Sequence, residues 1–254
     1  MARDPMSETF TNVYEDNTRA RSYSELEFPG TYYLAFRDIP DLLARHIRGN
    51  VALDFGCGAG RSTRFLKDLG YQVLGVDISG AMLHEAIGRD PKGEYLRVPH
   101  GDLSGLGARR FDLVLCAFTF DNIPSEESRV KLFRELREYL TTTGRIINLV
   151  SAPEIYVNEW TSFSTRAFPA NRTAKSGEVV RITMLDVADR RPVEDVLWTD
   201  ADYRATFAAA GLDVLETHRP FGLATDPCRW VSEVTVSPWT IYALRAQRSS
   251  GGAF

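Results

Sequence analysis

Apolar residues fall into short unbroken blocks and then thin out to helical spacing, and the two patterns alternate through the middle of the chain. Val51 to Phe55 reads as a strand that breaks into glycines at 56, 58 and 60, and Arg61 to Leu69 follows as a helix. Gly70 closes that helix, Tyr71 to Val76 forms a second strand, and Ile78-Ser79-Gly80-Ala81-Met82-Leu83 opens a second helix. Beyond the turn Pro91-Lys92-Gly93, Tyr95 to Val98 is a short third strand and Phe111 to Cys116 a fourth. Glu126 to Leu140 places Val130, Phe133, Leu136 and Leu140 on one face of an amphipathic helix stopped by Thr141-Thr142-Thr143-Gly144, and a fifth strand runs to Val150. Strands alternating with helices predict a parallel sheet with right-handed crossovers, whose ligands lie above the carboxyl ends of the strands.

The flanks break this rhythm. Aromatics recur among charges at Tyr14, Tyr23, Phe28, Tyr32 and Tyr33, and Pro29-Gly30 interrupts them, which predicts a helix, a turn and a second helix through Ile47. About fifty residues, 151–199, are inserted after the fifth strand; within them Glu178 to Asp186 and Pro192 to Trp198 read as a hairpin around Asp189-Arg190-Arg191. A helix from Asp200 to Ala210 and strands at Leu212 to Thr217 and Trp239 to Ala246 follow, and the 249–254 tail reads as disordered. The organisation expected is one α/β domain over 1–254: a helical N-terminal segment 1–47, a binding half 48–150, the insert 151–199, closing elements 200–247 and a tail 248–254. Either Met1 or Met6 can be the start.

Composition changes this picture little. The chain of 254 residues is 44% apolar and 25% charged, which suits a folded globule. A net charge of −4 supplies no field for a polyanion, and Arg109-Arg110 and Arg190-Arg191 read as solvated pairs, so no nucleic-acid partner is expected. Cys57, Cys116 and Cys228 have neither disulfide nor zinc spacing; with no signal peptide and no membrane-length apolar run, the cytoplasm is the expected compartment and no metal or membrane contact is expected. Asn171-Arg172-Thr173 matches a glycosylation acceptor, which means nothing without secretion.

The glycine turn carries the chemistry, because it lets backbone approach a ligand where a β carbon would clash and turns helix N–H groups outward. A phosphate-binding loop would need glycine at 55 and lysine at 61, which are Phe55 and Arg61; a dinucleotide turn would need its third glycine at 61 or 63, which are Arg61 and Thr63. What remains, Asp54-x-Gly56-x-Gly58-x-Gly60, resembles the first motif of class I S-adenosylmethionine-dependent methyltransferases. The resemblance continues in register to about Val150: Asp77 at the end of the second strand resembles the family's ribose-binding acid, His100-Gly101-Asp102-Leu103 its adenine-reading turn, and 111–116 and 144–150 its fourth and fifth strands.

The resemblance implies a Rossmann-like, doubly wound, mostly parallel sheet of seven strands with one antiparallel member, an N-terminal lid, and an inserted hairpin over the active-site mouth. It implies S-adenosyl-L-methionine as cofactor, S-adenosyl-L-homocysteine as product, and methyl transfer to the O, N or C of a small molecule. Cofactor contacts are expected from Asp54, Gly56, Cys57, Gly58, Gly60, Asp77, Ile78, Met82, Asp102, Leu103, Phe118 and, in the lid, Tyr23. Asp121-Asn122-Ile123-Pro124 lacks the paired proline and aromatic that base N-methyltransferases commonly carry there. The insert's aromatics suit an apolar or ring-bearing acceptor, with Asn122, Tyr156, Trp160, Phe163 and Trp198 as the residues to meet it, although they could equally form the insert's own core. Arg61 stays open between a methionine-carboxylate contact and a solvated first-turn residue. None of His46, His84, His100 or His218 is identified as a base. An RNA or protein methyltransferase, a non-catalytic binding module and an NAD oxidoreductase are the alternatives. The aromatic N-terminal arm could be exchanged between copies, so a homodimer is one expectation.

Overall fold

In a computed structural model that describes Arg21 and residues 23–99 and 102–247, seven strands form one sheet: β1 Val51–Phe55, β2 Gln72–Asp77, β3 Glu94–Arg97, β4 Phe111–Ala117, β5 Leu140–Ser151, β9 Leu212–His218 and β10 Trp239–Ala246. Their order is β3-β2-β1-β4-β5-β10-β9, and β10 alone runs antiparallel to its neighbours. The central parallel strands β1, β2, β4 and β5 are buried on both faces over most of their length, and alternate side chains divide between two cores. Ala52, Leu113, Leu115, Ile147 and Leu149 face one core, shared with Leu34 and Leu42 of the N-terminal helices. Leu53, Val114, Cys116, Ile146 and Val150 face the other, shared with Phe133 and Phe207.

Helices α3 Arg61–Asp68, α4 Gly80–Arg89, α5 Glu126–Glu138 and α6 Asp200–Ala209 join the strands. Ser79, Ser125 and Thr199 cap the last three with side-chain oxygens, and Thr199 with Asp202 makes a capping box. Two expectations need correction. The segment after Pro29-Gly30 is two helices, α1 Thr31–Arg37 and α2 Ile39–His46, broken at Asp38; Pro40 has no N–H to give and its ring obstructs the carbonyl four residues back, so one helix cannot run through. Thr141 to Thr143 belong to β5 rather than ending α5, as their β-branched side chains favour.

The insert builds a second, three-stranded antiparallel sheet from β6 Phe163–Ser164, β7 Val179–Met184 and β8 Val193–Val196; the two-residue β6 is too short to leave a periodic signal. Trp160, Phe163, Val180 and Ile182 of the insert join the N-terminal helices in the first core. Thr31 on α1 clasps the insert: its N–H donates to Ser162 Oγ (2.8 Å), its hydroxyl to the buried Glu233 (2.7 Å), and Ser162 N–H donates back to Thr31 Oγ1 (3.0 Å). Tyr14, both methionines considered as starts and the 249–254 tail lie outside the described residues, as does most of the arm behind the homodimer expectation. Among the described residues no helix is long and apolar enough to cross a membrane.

Candidate active site

Between β1 and α3 the backbone passes through three left-handed glycines, Gly56 at φ 74°, Gly58 at 54° and Gly60 at 77°. Gly56 and Cys57 both donate N–H to the Val76 carbonyl (2.8 and 3.0 Å), which pins the turn to β2. A β carbon on Gly56 would stand 2.3 Å from Thr119 Oγ1, and one on Gly60 2.7 Å from the Tyr95 hydroxyl. Only glycine meets both the conformation and the space.

Asp54, immediately before the turn, is fully buried and accepts from the Ser62 hydroxyl (2.7 Å) and the Thr63 hydroxyl (2.6 Å) in the first turn of α3. Its second oxygen has no hydrogen-bond partner among the described residues. Burial pushes its carboxyl up to about 6, against those two hydrogen bonds. Asp77 also grips the turn: Oδ2 accepts the Gly58 N–H and Oδ1 the Ser79 N–H, both at 2.8 Å. The Asp77 side chain is half-exposed beside the turn.

An open-mouthed hollow lies over the turn. Gly56, Cys57, Gly58, Ala59, Arg61 and Ser62 floor it, Tyr23, Ser24, Leu26 and Phe36 cover it, and Ala117 and Phe118 close the third side. Of the residues expected from sequence, Tyr23, Gly56, Cys57, Gly58 and Phe118 therefore meet at one cavity. Met82 is buried against Ala59 beneath it, and Ile78 packs at the edge of the second core. Burial holds the Cys57 thiol far above its usual range.

Asp102 and Leu103 do not line this hollow. Asp102 is exposed and accepts the Ser104 N–H (2.9 Å), capping the short 3₁₀ turn Leu103–Leu106. That backbone hydrogen bond lowers its pKa. Leu103 is buried and its carbonyl accepts the Tyr139 hydroxyl (2.8 Å). His100 and Gly101, the rest of that motif, lie outside the described residues.

Arg61 is not solvated: it is 8% exposed. Nη1 donates to the Glu27 carbonyl (2.7 Å), and the guanidinium carbon lies 4.7 Å from the Tyr32 ring centre, 5.5 Å from Phe36 and 5.6 Å from both Tyr23 and Phe28. Four aromatic faces offset part of the cost of burying this cation. A run of aromatics followed by a lone basic residue at the first helical position is a weak signal, because no spacing rule links residues thirty apart.

The insert's aromatics fill its interior. Trp160 and Phe163 are buried in the first core, with Trp160 Nε1 on the Ile155 carbonyl (2.8 Å); Tyr156 is buried with its hydroxyl on Asp195 (3.0 Å); the Arg129 guanidinium lies 4.5 Å from the Trp198 ring centre. None of the four, nor Asn122, lines the hollow.

Residues 53–148 match the family model for a methyltransferase domain. That stretch is a methyltransferase domain, and the fold around it is that of class I S-adenosylmethionine-dependent methyltransferases. This methyltransferase is 23% identical over 211 residues, 82% of its length and 86% of the relative's, to the N-demethylindolmycin N-methyltransferase of Streptomyces griseus. It is 45% identical to the 18S rRNA (guanine-N(7))-methyltransferase RID2 of Arabidopsis thaliana over 104 residues, 38% of this chain and 34% of that one. Its fold superposes with a TM-score of 0.60 on the glycopeptide N-methyltransferase MtfA complexed with S-adenosylmethionine, at 15% identity over 88% of this chain and 91% of that one. The methyltransferase's own residues suit that cofactor: Gly56 and Gly58 at the base of the hollow, a half-exposed Asp77 carboxylate gripping the same turn, and a buried Arg61 with no carboxylate paired to it among the described residues.

Proposed function

We propose that this methyltransferase acts on a small-molecule acceptor, an apolar or ring-bearing metabolite of the kind bacterial secondary metabolism makes, through O, N or C. The observation that carries the reading is the span of likeness. The 211 residues aligned with the N-demethylindolmycin enzyme exceed what 53–148 contains, so the likeness reaches into segments that flank the conserved domain. The likeness to the rRNA enzyme, 104 residues, is about the size of that domain. An overall charge of −4 also disfavours a polyanionic acceptor. Three free cysteines fit the reducing cytoplasm.

When bound, S-adenosylmethionine supplies a methyl group on a sulfonium for in-line displacement by the acceptor. The protein's part is positioning and exclusion of water, which can be worth about 7–11 kcal/mol of barrier. In this reading the 56–60 backbone takes the methionine and ribose portion, and Asp77, an acceptor with two oxygens, takes the ribose hydroxyls. Arg61 takes the methionine carboxylate, and Asp54 holds the turn while its second oxygen offers a site for the ammonium. Asp102 and Leu103 serve the adenine. Tyr23, Leu26, Phe36 and Phe118 exclude water, and the three aromatic rings among them favour a sulfonium.

Calorimetry with S-adenosylmethionine and NAD in parallel tests the cofactor; binding of NAD alone overturns it. Incubation with a metabolite extract, bulk RNA and a protein lysate, each with methyl-labelled cofactor, tests the acceptor class. A product one methylene heavier than a small metabolite supports the reading, and label confined to RNA or protein overturns it.

A further inference from the structure

The turn after β4 is held in a costly shape. Phe118 is the one non-glycine among the described residues with positive φ, 64°, in a region that an L side chain disfavours. Its ring is one wall of the hollow, so the conformation of this turn decides where that wall stands. The backbone supplies part of the restraint: Phe118 N–H donates to the Leu149 carbonyl (2.8 Å) and the Thr119 hydroxyl to the Phe55 carbonyl (2.7 Å). Asp121 supplies another part. It is 5% exposed, and Ser151 at the end of β5 donates its N–H to both carboxylate oxygens (3.2 and 3.1 Å) and its hydroxyl to Oδ2 (2.8 Å).

Behind this grip is a second layer. Arg129 of α5 is fully buried; its Nε donates to the Ile123 carbonyl (2.9 Å) and Nη1 to the Tyr203 hydroxyl (3.0 Å), and Tyr203 neighbours the Asp121 carboxyl. From the insert, the Tyr156 hydroxyl donates to Asp195 on β8 (3.0 Å) and neighbours Ser151. Two carboxylates and one guanidinium thus share the interior where the turn, β5, α5, α6 and the inserted sheet meet. Burying such groups costs free energy that apolar side chains would not, and none of them lines the hollow as a ligand would require.

We propose that Asp121 is a positioning residue. Gripped by Ser151 and backed by Arg129 and Tyr203, it holds Phe118 in its left-handed form, and the Tyr156–Asp195 pair ties the inserted sheet to the same point, so that the cofactor wall and the insert are set together. The proposal rests on reading the hollow as the cofactor site, and its test separates the two.

Amide hydrogen exchange over residues 117–123 and calorimetric affinity for S-adenosyl-L-homocysteine are compared in the wild type, Asp121→Ala, Asp121→Asn and Tyr156→Phe. Asp121→Ala is expected to speed exchange in the turn and weaken S-adenosyl-L-homocysteine, each by about tenfold. Asp121→Asn keeps an oxygen that accepts from Ser151 and is expected to restore both to within about twofold of wild type. Tyr156→Phe, remote from the hollow, is expected to shift both in the same direction by about threefold. Exchange and affinity unchanged in Asp121→Ala overturn the proposal, and so does an asparagine variant no better than alanine. If Asp121→Ala does not fold, unaltered turn exchange in Tyr156→Phe overturns it. A wild type that binds no S-adenosyl-L-homocysteine overturns the cofactor reading instead, while the exchange comparison still judges the latch.

Discussion

Asp54 should make this protein less stable, not more, as pH rises from about 4 to about 6.5. Its carboxyl is pushed from the ordinary 3.8 up to about 6, first by burial, with Asp77 adding repulsion and Thr63, Ser62 and Arg61 opposing. An acid whose folded pKa is raised binds its proton more tightly when folded. Between the two values the unfolded chain has already ionised, so stability declines with pH and levels off above the folded value. The interval of about two pH units corresponds to about 3 kcal/mol at 1.36 kcal/mol per unit. Asp54→Asn removes this contribution and keeps an oxygen for Ser62 and Thr63; whatever its amide nitrogen costs is the same at every pH. The assay is urea unfolding of both proteins at intervals from pH 4 to 7.5. The stability of the variant relative to wild type should improve by about 3 kcal/mol over that range, roughly 6–12 °C in Tm for a chain of this size. A difference that stays flat across the range refutes the assignment of the raised carboxyl to Asp54, because groups remote from it titrate alike in both proteins.

Arg61→Lys should not substitute for arginine, since a compact ammonium cannot face four rings and reach the Glu27 carbonyl together; limited proteolysis should cut near residues 23–30 several-fold faster, and an unchanged rate argues against the cage as the lid's anchor. Gly58→Ala places a β carbon 3.0 Å from Met82 Cε at φ 54°. It should cost about 1–2 kcal/mol and weaken S-adenosyl-L-homocysteine, with part of the stability recovered on adding Met82→Ala; full affinity in calorimetry would show the turn does not meet the ligand. Phe133→Ala empties a position stacked on Phe120 with ring centres 3.8 Å apart. Chemical denaturation should register a loss of about 3–5 kcal/mol, and a loss under 1 kcal/mol would mean the second core collapses around the gap.

The strand and helix alternation and the glycine turn were legible because each rests on local spacing: apolar blocks, glycines at alternate positions, a Gly70 stop; the one antiparallel member came from the family resemblance, and its place between β5 and β9 only from the structure. Even Asp77 could be placed, since it ends a strand beside that turn and needs only the parallel register to reach Gly58. Asp102 shows the limit. A short acid before Leu-Ser-Gly is equally a turn cap and an adenine acceptor in sequence, and in the fold it accepts the capping N–H of Ser104. Arg61 was undecidable for a similar reason, because the rings around it come from Tyr23, Phe28, Tyr32 and Phe36, far away along the chain.

Sequence alone determined the architecture of this methyltransferase and the position of its glycine turn, since hydrophobic period and backbone freedom are properties of neighbouring residues. Tertiary structure decided which side chains face the hollow. Tyr156, Trp160 and Phe163 went into the core with the N-terminal helices, and Asp121 into the interior beside Ser151. Packing assigns an aromatic or an acid to core or cavity by what fills the space opposite it, and that partner comes from an element whose distance along the chain carries no periodic trace.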